Sequence, residues 1–504
     1  MYRYFCLLLT SLAFGACLVP TPLVNQPQDP NVSFSILHIN DVYEIAPLEK
    51  GKVGGMARVA TLERKLHSQQ PNLYTVLVGD FLSPSVIGTV KLEGEEERVQ
   101  GQQMVDLMNI VGVDWVVFGN HEFDIKEDAL QKRLDESDFG WIGGNVRHRR
   151  NDSLLRFQQR GKDLPDYTIW EFDNGAQSSI RVGVIGVCLD ANQQDFVSYE
   201  NVFTNAKQNY RLIKDSVDFC IAMTHLSIEE DRELARQLPD LKLIMGGHEH
   251  ERHFEKVGSV SIAKADANAK SAWIHRFEWN GESVQLISYL EEIGENIAPD
   301  PWVASQVKAW EQKAYQAFEA TGLDLNAPVC KLETPLDGRE TTIRTRPTNL
   351  GLALAESMYQ AAEDADCAIV NSGSVRIDDF LRGEITEFDL VRTLPFGGAV
   401  LKVDMRGSLL IQILEAGMAN QGNGGYLQTH LLSQENDQWL IGEQEIMAEE
   451  KYRVAISDFL LTGRESGLGF LTPQNDSIIA LTRPGTESRL RDIRLVLADY
   501  LKKQ

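Results

Sequence analysis

Val116-Val117-Phe118-Gly119-Asn120-His121-Glu122-Phe123-Asp124 is the stretch around which this chain is organised. A short apolar run that breaks into Gly-Asn-His-Glu reads as a buried strand ending in a site-bearing turn. The turn places a carboxamide oxygen, an imidazole and two carboxylates within five positions. Each such group, once buried, must find a partner or lose free energy, so few core loops carry that mixture. Asn120 can give an oxygen to a metal ion, while His121, held by Asp124, can face a reacting group. The competing explanation is a capped turn on an ordinary α/β sheet, and the rest of the chain decides between them.

Outward from this stretch the same pattern recurs. Residues 35–41 read as a strand delivering Asp41, and Gly54-Gly55-Met56 opens a helix running to about Ser68. Residues 74–80 form a second apolar run delivering Asp80, and residues 102–111 read as a helix leading into the Gly-Asn-His-Glu strand. Residues 181–187 are a further buried strand, residues 218–223 deliver Thr224-His225, and residues 241–245 deliver Gly246-Gly247-His248-Glu249-His250. A lone strand-end aspartate is usually a cap or turn residue. Five hydrophobic runs ending in Asp, Asp, Asn-His, His and His-x-His are hard to credit to turns alone. Ligand groups collect at the carboxyl ends of strands in α/β sheets. Oxygen and imidazole donors without thiolates suit Zn, Mn, Mg or Fe, and this many donors suggest two divalent ions sharing one carboxylate.

The 504 residues exceed one ordinary core, so two domains of unequal size are expected. A net charge of −24 would repel phosphate backbones and argues against a nucleic acid polymer as partner. An anionic substrate must then be drawn in by local positive charge. The chain opens like an export signal: Arg3 precedes an apolar run over residues 7–19, too short to span a bilayer comfortably. Leu12-Ala13-Phe14-Gly15-Ala16-Cys17 resembles a lipoprotein cleavage site with Cys17 as the lipidated residue, and simple signal cleavage is the alternative. Either leads to an extracytoplasmic, periplasmic or membrane-anchored protein, with a Pro-containing tether to residue 30. Cys188 and Cys220 lie in apolar runs and read as buried small hydrophobes; with no Cys-x-x-Cys spacing the chain is neither a disulfide scaffold nor a zinc ribbon.

Asn40-Asp41, Gly79-Asp80, Gly119-Asn120-His121-Glu122-Phe123-Asp124, Thr224-His225 and Gly247-His248-Glu249-His250 resemble, in order and spacing, the calcineurin-like metallophosphoesterases. The likeness is nearest to the bacterial 5′-nucleotidase and UDP-sugar hydrolase branch. It implies an N-terminal four-layer α/β/β/α sandwich carrying two metals and a C-terminal α/β substrate-binding domain, joined by a helix. The Pro-Trp segment at residues 299–320, with Trp302, Val307, Trp310, Ala314 and Phe318 at roughly helical spacing, would be that connector. The expected division is 1–30 leader and tether, 31–298 metallophosphoesterase domain, 299–325 linker helix and 326–504 C-terminal domain. The resemblance implies Asp80 bridging both ions, Asp41 and His250 serving one, and Asn120, His225 and His248 serving the other. His121 and Asp124 would be catalytic, with a metal-bridging hydroxide attacking phosphorus.

In the second half, residues 349–358 following Arg344, the run 368–376 with Asn371 and Arg376, Leu394-Pro395-Phe396-Gly397-Gly398 and Gly467-Leu468-Gly469-Phe470 extend the likeness. Phe396 and Phe470 would sandwich a nucleobase, while Arg344, Arg376 and Asn371 would hold phosphate and ribose. Core packing is the alternative reading of both rings. Two positions depart from the pattern. Tyr43 stands where the family has histidine, as a ligand or as a hydrogen-bonding neighbour; its reference pKa near 10 makes a neutral phenol a poor ligand. Leu468 stands where nucleoside-binding members carry aspartate, and leucine accepts no hydrogen bond. The expected activity is hydrolysis of nucleotide phosphate esters by what would be a monomer or loose oligomer. Hydrolysis of a sugar phosphate or phosphoglycerate ester is the alternative from Leu468, and a non-catalytic phosphate-ligand-binding surface protein is the alternative from Tyr43.

Overall fold

The computed structural model describes residues 31–175 and 178–504. The leader, Cys17 and the tether lie outside the described residues. No helix among the described residues is long and apolar enough to cross a membrane.

The first half is built from two six-stranded sheets laid face to face. One runs, edge to edge, Val284–Glu292, Ser271–Trp279, Val32–Ile39, Leu73–Val78, Trp115–Val117 and Gly140–Ile142, the last four mutually parallel. The other runs His253–Val257, Val260–Lys264, Leu243–Gly246, Phe219–His225, Ser179–Cys188 and Tyr167–Asp173, with the inner four parallel. Parallel strands covered on both faces must be apolar on both, which is why these runs read as nearly continuous hydrophobic stretches. Their period of two still sorts the side chains. Phe34 and Ile36 point between the sheets, with Val76, Val78, Val182, Ile221 and Met245, while Leu37 and Ile39 point outward to the helices. Phe34 stacks on Phe277 of its own sheet at 4.6 Å and across the sandwich on Phe172 at 4.2 Å, fastening one sheet to the other.

The outer face of the first sheet is covered by Met56–Gln69, Gln102–Val111 and Pro301–Glu319, and that of the second by Val202–Ile213 and Ile228–Gln237. The result is four layers, α/β/β/α. Both sheets present the carboxyl ends of their parallel strands at one rim, where His225 Nδ1 bonds the Val78 carbonyl oxygen (3.0 Å) and His38 Nε2 the Gly246 carbonyl oxygen (3.1 Å). The candidate residues therefore come from two sheets, and the sandwich brings their ends together.

The helix Pro301–Glu319 starts sharply, because Asp300 accepts the Val303 N–H and Pro301 occupies its first turn. Its buried face is Val303, Val307, Ala314 and Phe318, whereas Trp302 is 60% exposed and stands off it. Val307, Ala314 and Phe318 of the expected face are buried and Trp310 packs beside them, so only Trp302 departs from that face.

The second domain centres on a mixed sheet ordered Leu427–His430, Cys367–Asn371, Lys451–Ser457, Val400–Arg406 and Ile478–Thr482. Ala368 and Val370 face the helices Asn349–Ala361 and Ile493–Leu501, while Cys367 and Ile369 face Gly407–Ala419. Val391 and Leu495 of this domain join the apolar cluster outside the first sheet, so the domains meet through packing as well as ion pairs. Cys188, Cys220 and Cys367 are buried free thiols.

Candidate active site

The strand Val32–Ile39 ends two residues before Asp41, and Leu73–Val78 two before Asp80. Both aspartates turn back over the rim in left-handed backbone, with φ of 52° and 55°. His248 and His250 do the same at 88° and 60°. Such conformations cost on the order of 1–3 kcal/mol each for non-glycine residues, and they cluster where surrounding structure holds a functional geometry. Their glycine neighbours are spatial necessities. A Cβ on Gly119 would sit 2.1 Å from Asp80 Oδ1, and one on Gly79 would sit 2.4 Å from His225 Nδ1.

Asp41, Asp80 and His225 present ligand atoms within 4.8 Å of one another, all buried. Asp80 Oδ1 accepts the His121 N–H (2.7 Å), leaving Oδ2 toward the centre. His225 Nε2 lies 3.1 Å from that Oδ2 and 3.9 Å from Asp41 Oδ1, attracted by charge but without the alignment of a hydrogen bond. His250 Nε2 is 3.4 Å from Asp41 Oδ1, and the His248 backbone N–H donates to Asp41 Oδ2 (2.9 Å). The His248 ring lies edge-on to His225, centroids 5.5 Å apart. Asp41 Oδ1, Asn120 Oδ1 and His225 Nε2 are all buried without a hydrogen-bond partner. An unsatisfied buried polar atom costs about 1–3 kcal/mol, and these three atoms are of the donor types that a divalent cation takes. These residues fit a metal ion.

The electrostatics agree. Burial alone would raise the Asp41 and Asp80 carboxyls, but His225 and its neighbouring imidazoles hold both below the usual range. Burial alone would lower His225, yet Asp80 and Asp41 lift it to about 9. Burial and the His225 charge push His248 down.

Beside this cluster, the turn His121–Asp124 holds His121 Nδ1 2.8 Å from Asp124 Oδ2. Burial lowers His121, but Asp124 and Asp80 outweigh it and raise the imidazole above its ordinary value. Burial would raise Asp124, whereas Arg376 and His121 hold it at about 2. Arg376 comes from the second domain and donates through Nη2 to Asp124 Oδ2 (2.7 Å). That nitrogen is also 2.9 Å from His121 Nδ1; both are donors to the same carboxylate oxygen, which leaves His121 Nε2 for a reacting group.

Several supporting residues hold this geometry, and apart from Glu122 and Glu249 they escape sequence reading. Glu122 accepts the N–H groups of Asp80, Phe81, Leu82 and Gly119, tying the two site loops together. Asn192 donates to Asp124 Oδ1 (2.6 Å) and to the Asn120 carbonyl (2.9 Å). Lys264, 1% exposed, donates to the carbonyls of Leu226 and Gly247 and pairs with Asp231 and Glu249 beneath the His248 loop. Asp378, two residues beyond Arg376, reaches His250 Nδ1 at 3.0 Å. Glu122 lies within the Gly-Asn-His-Glu motif, and Asp378 stands two residues beyond Arg376, which is the one signal that could have found it.

Tyr43 is buried with its hydroxyl 3.1 Å from Asp80 Oδ2 and 3.0 Å from His250 Nε2. Burial, with Asp80 and Asp41 adding to it, pushes the phenol well above 10, so in this arrangement it donates to Asp80. Of the remaining candidates, Arg344 pairs with Glu340, whose carboxylate also faces Arg376 (3.6 Å). Phe396 is 50% exposed, with the Arg376 guanidinium 5.9 Å from its ring centre. Asn371 turns to Glu465 (2.8 Å) and Ser374 (2.7 Å). Phe470 packs against an apolar cluster of the second domain, and Leu468 is fully buried within that cluster. The structure thus gathers Asp41, Asp80, Asn120, His225, His248, His250, His121, Asp124 and Arg376 at one rim, with Phe396 beside them. Phe470 itself is only partly buried against the apolar cluster of the second domain. Leu468, with no exposed surface, offers no contact to a ligand.

The family profile of the calcineurin-like phosphoesterases matches residues 34–252, and that of the 5′-nucleotidase C-terminal domain matches residues 328–470. The chain is 25% identical over 535 residues to the 5′-nucleotidase of Vibrio parahaemolyticus, covering 94% of this chain and 90% of that one. It is 23% identical over 441 residues to the trifunctional nucleotide phosphoesterase protein YfkN of Bacillus subtilis, covering 79% of this chain but 28% of the much longer relative. The crystal structure of the 5′-nucleotidase precursor from Thermus thermophilus superposes with a TM-score of 0.70 at 21% identity, covering 94% and 96% of the two chains. With both profiles matched in order and the sandwich, rim and second domain in place, the chain belongs to the calcineurin-like phosphoesterases that carry a 5′-nucleotidase C-terminal domain.

Proposed function

We propose that this protein is a metal-dependent phosphohydrolase of the 5′-nucleotidase type, releasing phosphate from nucleotide esters. The observation that carries the proposal is the buried Asp41–Asp80–His225 cluster with its partnerless ligand atoms, adjoining a His121–Asp124 pair that an arginine of the other domain touches. A pure binder needs no such pair. Asp41, Asp80, Asn120, His225, His248 and His250 would hold two divalent ions, Asp80 serving both. Bound there, the ions would acidify water to a nucleophile near neutral pH and draw charge from the phosphoryl group.

The chain's own residues do the rest. Asp124 pins the Nδ1–H of His121, so Nε2 can donate to a phosphoryl oxygen or to the leaving oxygen as it departs. The elevated basicity of His121 keeps that proton available. Arg376 offers guanidinium nitrogens beside the same pair and suits phosphate oxygens, which an acidic protein must attract locally. Phe396, exposed next to Arg376, offers a face for a nucleobase. The leader read at residues 7–19 supports an extracytoplasmic site of action.

The test is phosphate release from AMP, ATP, UDP-glucose and a sugar phosphate by purified protein supplied with Mn, Zn, Mg or Co. AMP turnover that His121→Ala lowers by at least about 100-fold is expected. No turnover of any nucleotide with any of the metals would overturn the proposal.

A further inference from the structure

The two imidazoles nearest Asp41 are steadied in different ways. His225 is fixed from within its own domain, Nδ1 on the Val78 carbonyl at 3.0 Å, so Nε2 faces the carboxylates. Among the described residues His250 has no such partner in its own domain: its Nδ1 meets Asp378 Oδ2 of the second domain at 3.0 Å. Asp378 is itself held in place. Its Oδ1 accepts the Glu340 N–H at 2.6 Å, and its backbone is locked at a φ of 39°. The neighbours of Asp378 cross the same boundary, Arg376 to Asp124 and Asp379 to Lys270. Beside this loop the domains stand apart. A cavity of about 880 Å³ lies along the boundary on Lys50, Lys270 and Arg382, and another of about 500 Å³ is lined by His250, Asp379 and Phe380. The 376–379 loop thus crosses the boundary beside these cavities, and one of its residues ends on a candidate ligand.

We infer that Asp378 is a positioning residue for His250, fixing which ring nitrogen faces the cation and so linking cation affinity to docking of the second domain. The inference rests on the reading of the site as a divalent-cation centre. A carboxylate on the outer nitrogen of a ligating histidine fixes its tautomer and ring angle and raises its strength as a ligand. Here that carboxylate arrives only when the second domain is seated. Linkage makes the effect reciprocal: whatever factor docking adds to cation affinity, the cation adds to docking.

The experiment uses full-length protein stripped of metal and titrated calorimetrically with Mn²⁺, alongside Asp378→Ala, Asp378→Asn and Glu384→Ala. Glu384 pairs with Lys50 across the same boundary but away from the site, and serves as control. Asp378→Ala should weaken one Mn²⁺ equivalent by roughly 10–100-fold. Asp378→Asn, which keeps an oxygen to accept the Nδ1–H, should recover part of the loss, and Glu384→Ala should stay within about twofold. Small-angle scattering with and without Mn²⁺ supplies a second readout. The wild type should become more compact on adding the ion, and Asp378→Ala should lose that response. Wild-type affinity with an intact scattering response in Asp378→Ala would overturn the inference. AMP hydrolysis by the wild-type protein reports on the proposed function separately, so the two can fail independently.

Discussion

Lys264→Met asks how the His248 loop is kept rigid. Lys264 has 1% of its side chain exposed; its ammonium lies 2.6 Å from the Leu226 carbonyl, 2.8 Å from the Gly247 carbonyl and 2.8 Å from Asp231, with Glu249 beside it. Methionine fills similar volume but carries no charge and no donor. It would leave Asp231, which is fully buried, facing Glu249 with no cation between them. Removing one partner of a buried ion pair costs about 3–5 kcal/mol, because the other charge stays in place uncompensated. At roughly 2–4 °C per kcal/mol for a domain this large, the midpoint should fall by about 10 °C.

The pH dependence has a definite sign. Burial raises the Asp231 carboxyl to about 6 even beside Lys264, and without the lysine it must rise further. A carboxyl whose folded value exceeds its unfolded one contributes stability that is whole at low pH and is lost as pH climbs through the folded value. The gap between variant and wild type should therefore be widest near pH 8 and narrower near pH 6. Asp231→Asn in the Lys264→Met background should recover at least about 1 kcal/mol, measured as a double-mutant cycle by calorimetry or denaturant unfolding. A Lys264→Met cost below about 1 kcal/mol, or a cycle that closes with no coupling, would refute the reasoning.

Four further outcomes are expected. Each Glu122 oxygen accepts two N–H groups, and an amide can accept on one side only, so Glu122→Gln should cost roughly 1–3 kcal/mol in unfolding experiments; an unchanged midpoint would contradict the loop-tying role. Burial lowers His38 to about 3 and also depresses its neighbour His275, so stability present above the unfolded value of about 6.5 should be lost as pH falls below it, by about 2 kcal/mol at pH 5 from His38 alone. His38→Gln should flatten that acid slope, and a slope that does not change would remove His38 as its source. Gly119→Ala places a methyl where Asp80 Oδ1 now lies and should weaken cation binding measured by calorimetry more than it lowers the melting point; binding at wild-type strength would show that the loop yields freely. Chelation should lower the melting midpoint and Mn or Zn should restore it, since an ion at about 100 times its Kd adds about 2.7 kcal/mol; no shift with Mn, Zn, Mg or Fe would contradict a cation site.

Much of the candidate site was legible because its signals are local. An apolar run of strand length ending in Asp, Asn-His or His-x-His records one physical fact in one stretch of chain: a buried strand that must surface at a polar group. Gly79 and Gly119 belong to the same record, since the space they leave is filled by residues of the motif pattern itself. Strand positions, the helix Gln102–Val111 and the two-domain α/β class follow from the same periodicities. What the sequence could not express is adjacency between distant surfaces. That Asp41 and Asp80 come from one sheet and His225, His248 and His250 from another, and that the two rims coincide, depends on how the sandwich stacks. Lys264 reads as an ordinary strand lysine until the fold surrounds it with Asp231 and Glu249. Leu468 reads as a missing hydrogen-bond acceptor, and only packing shows that it lies inside the second domain's core. Asp378 meets His250 only because one folded domain docks on another, a rigid-body arrangement that no local pattern of residues encodes.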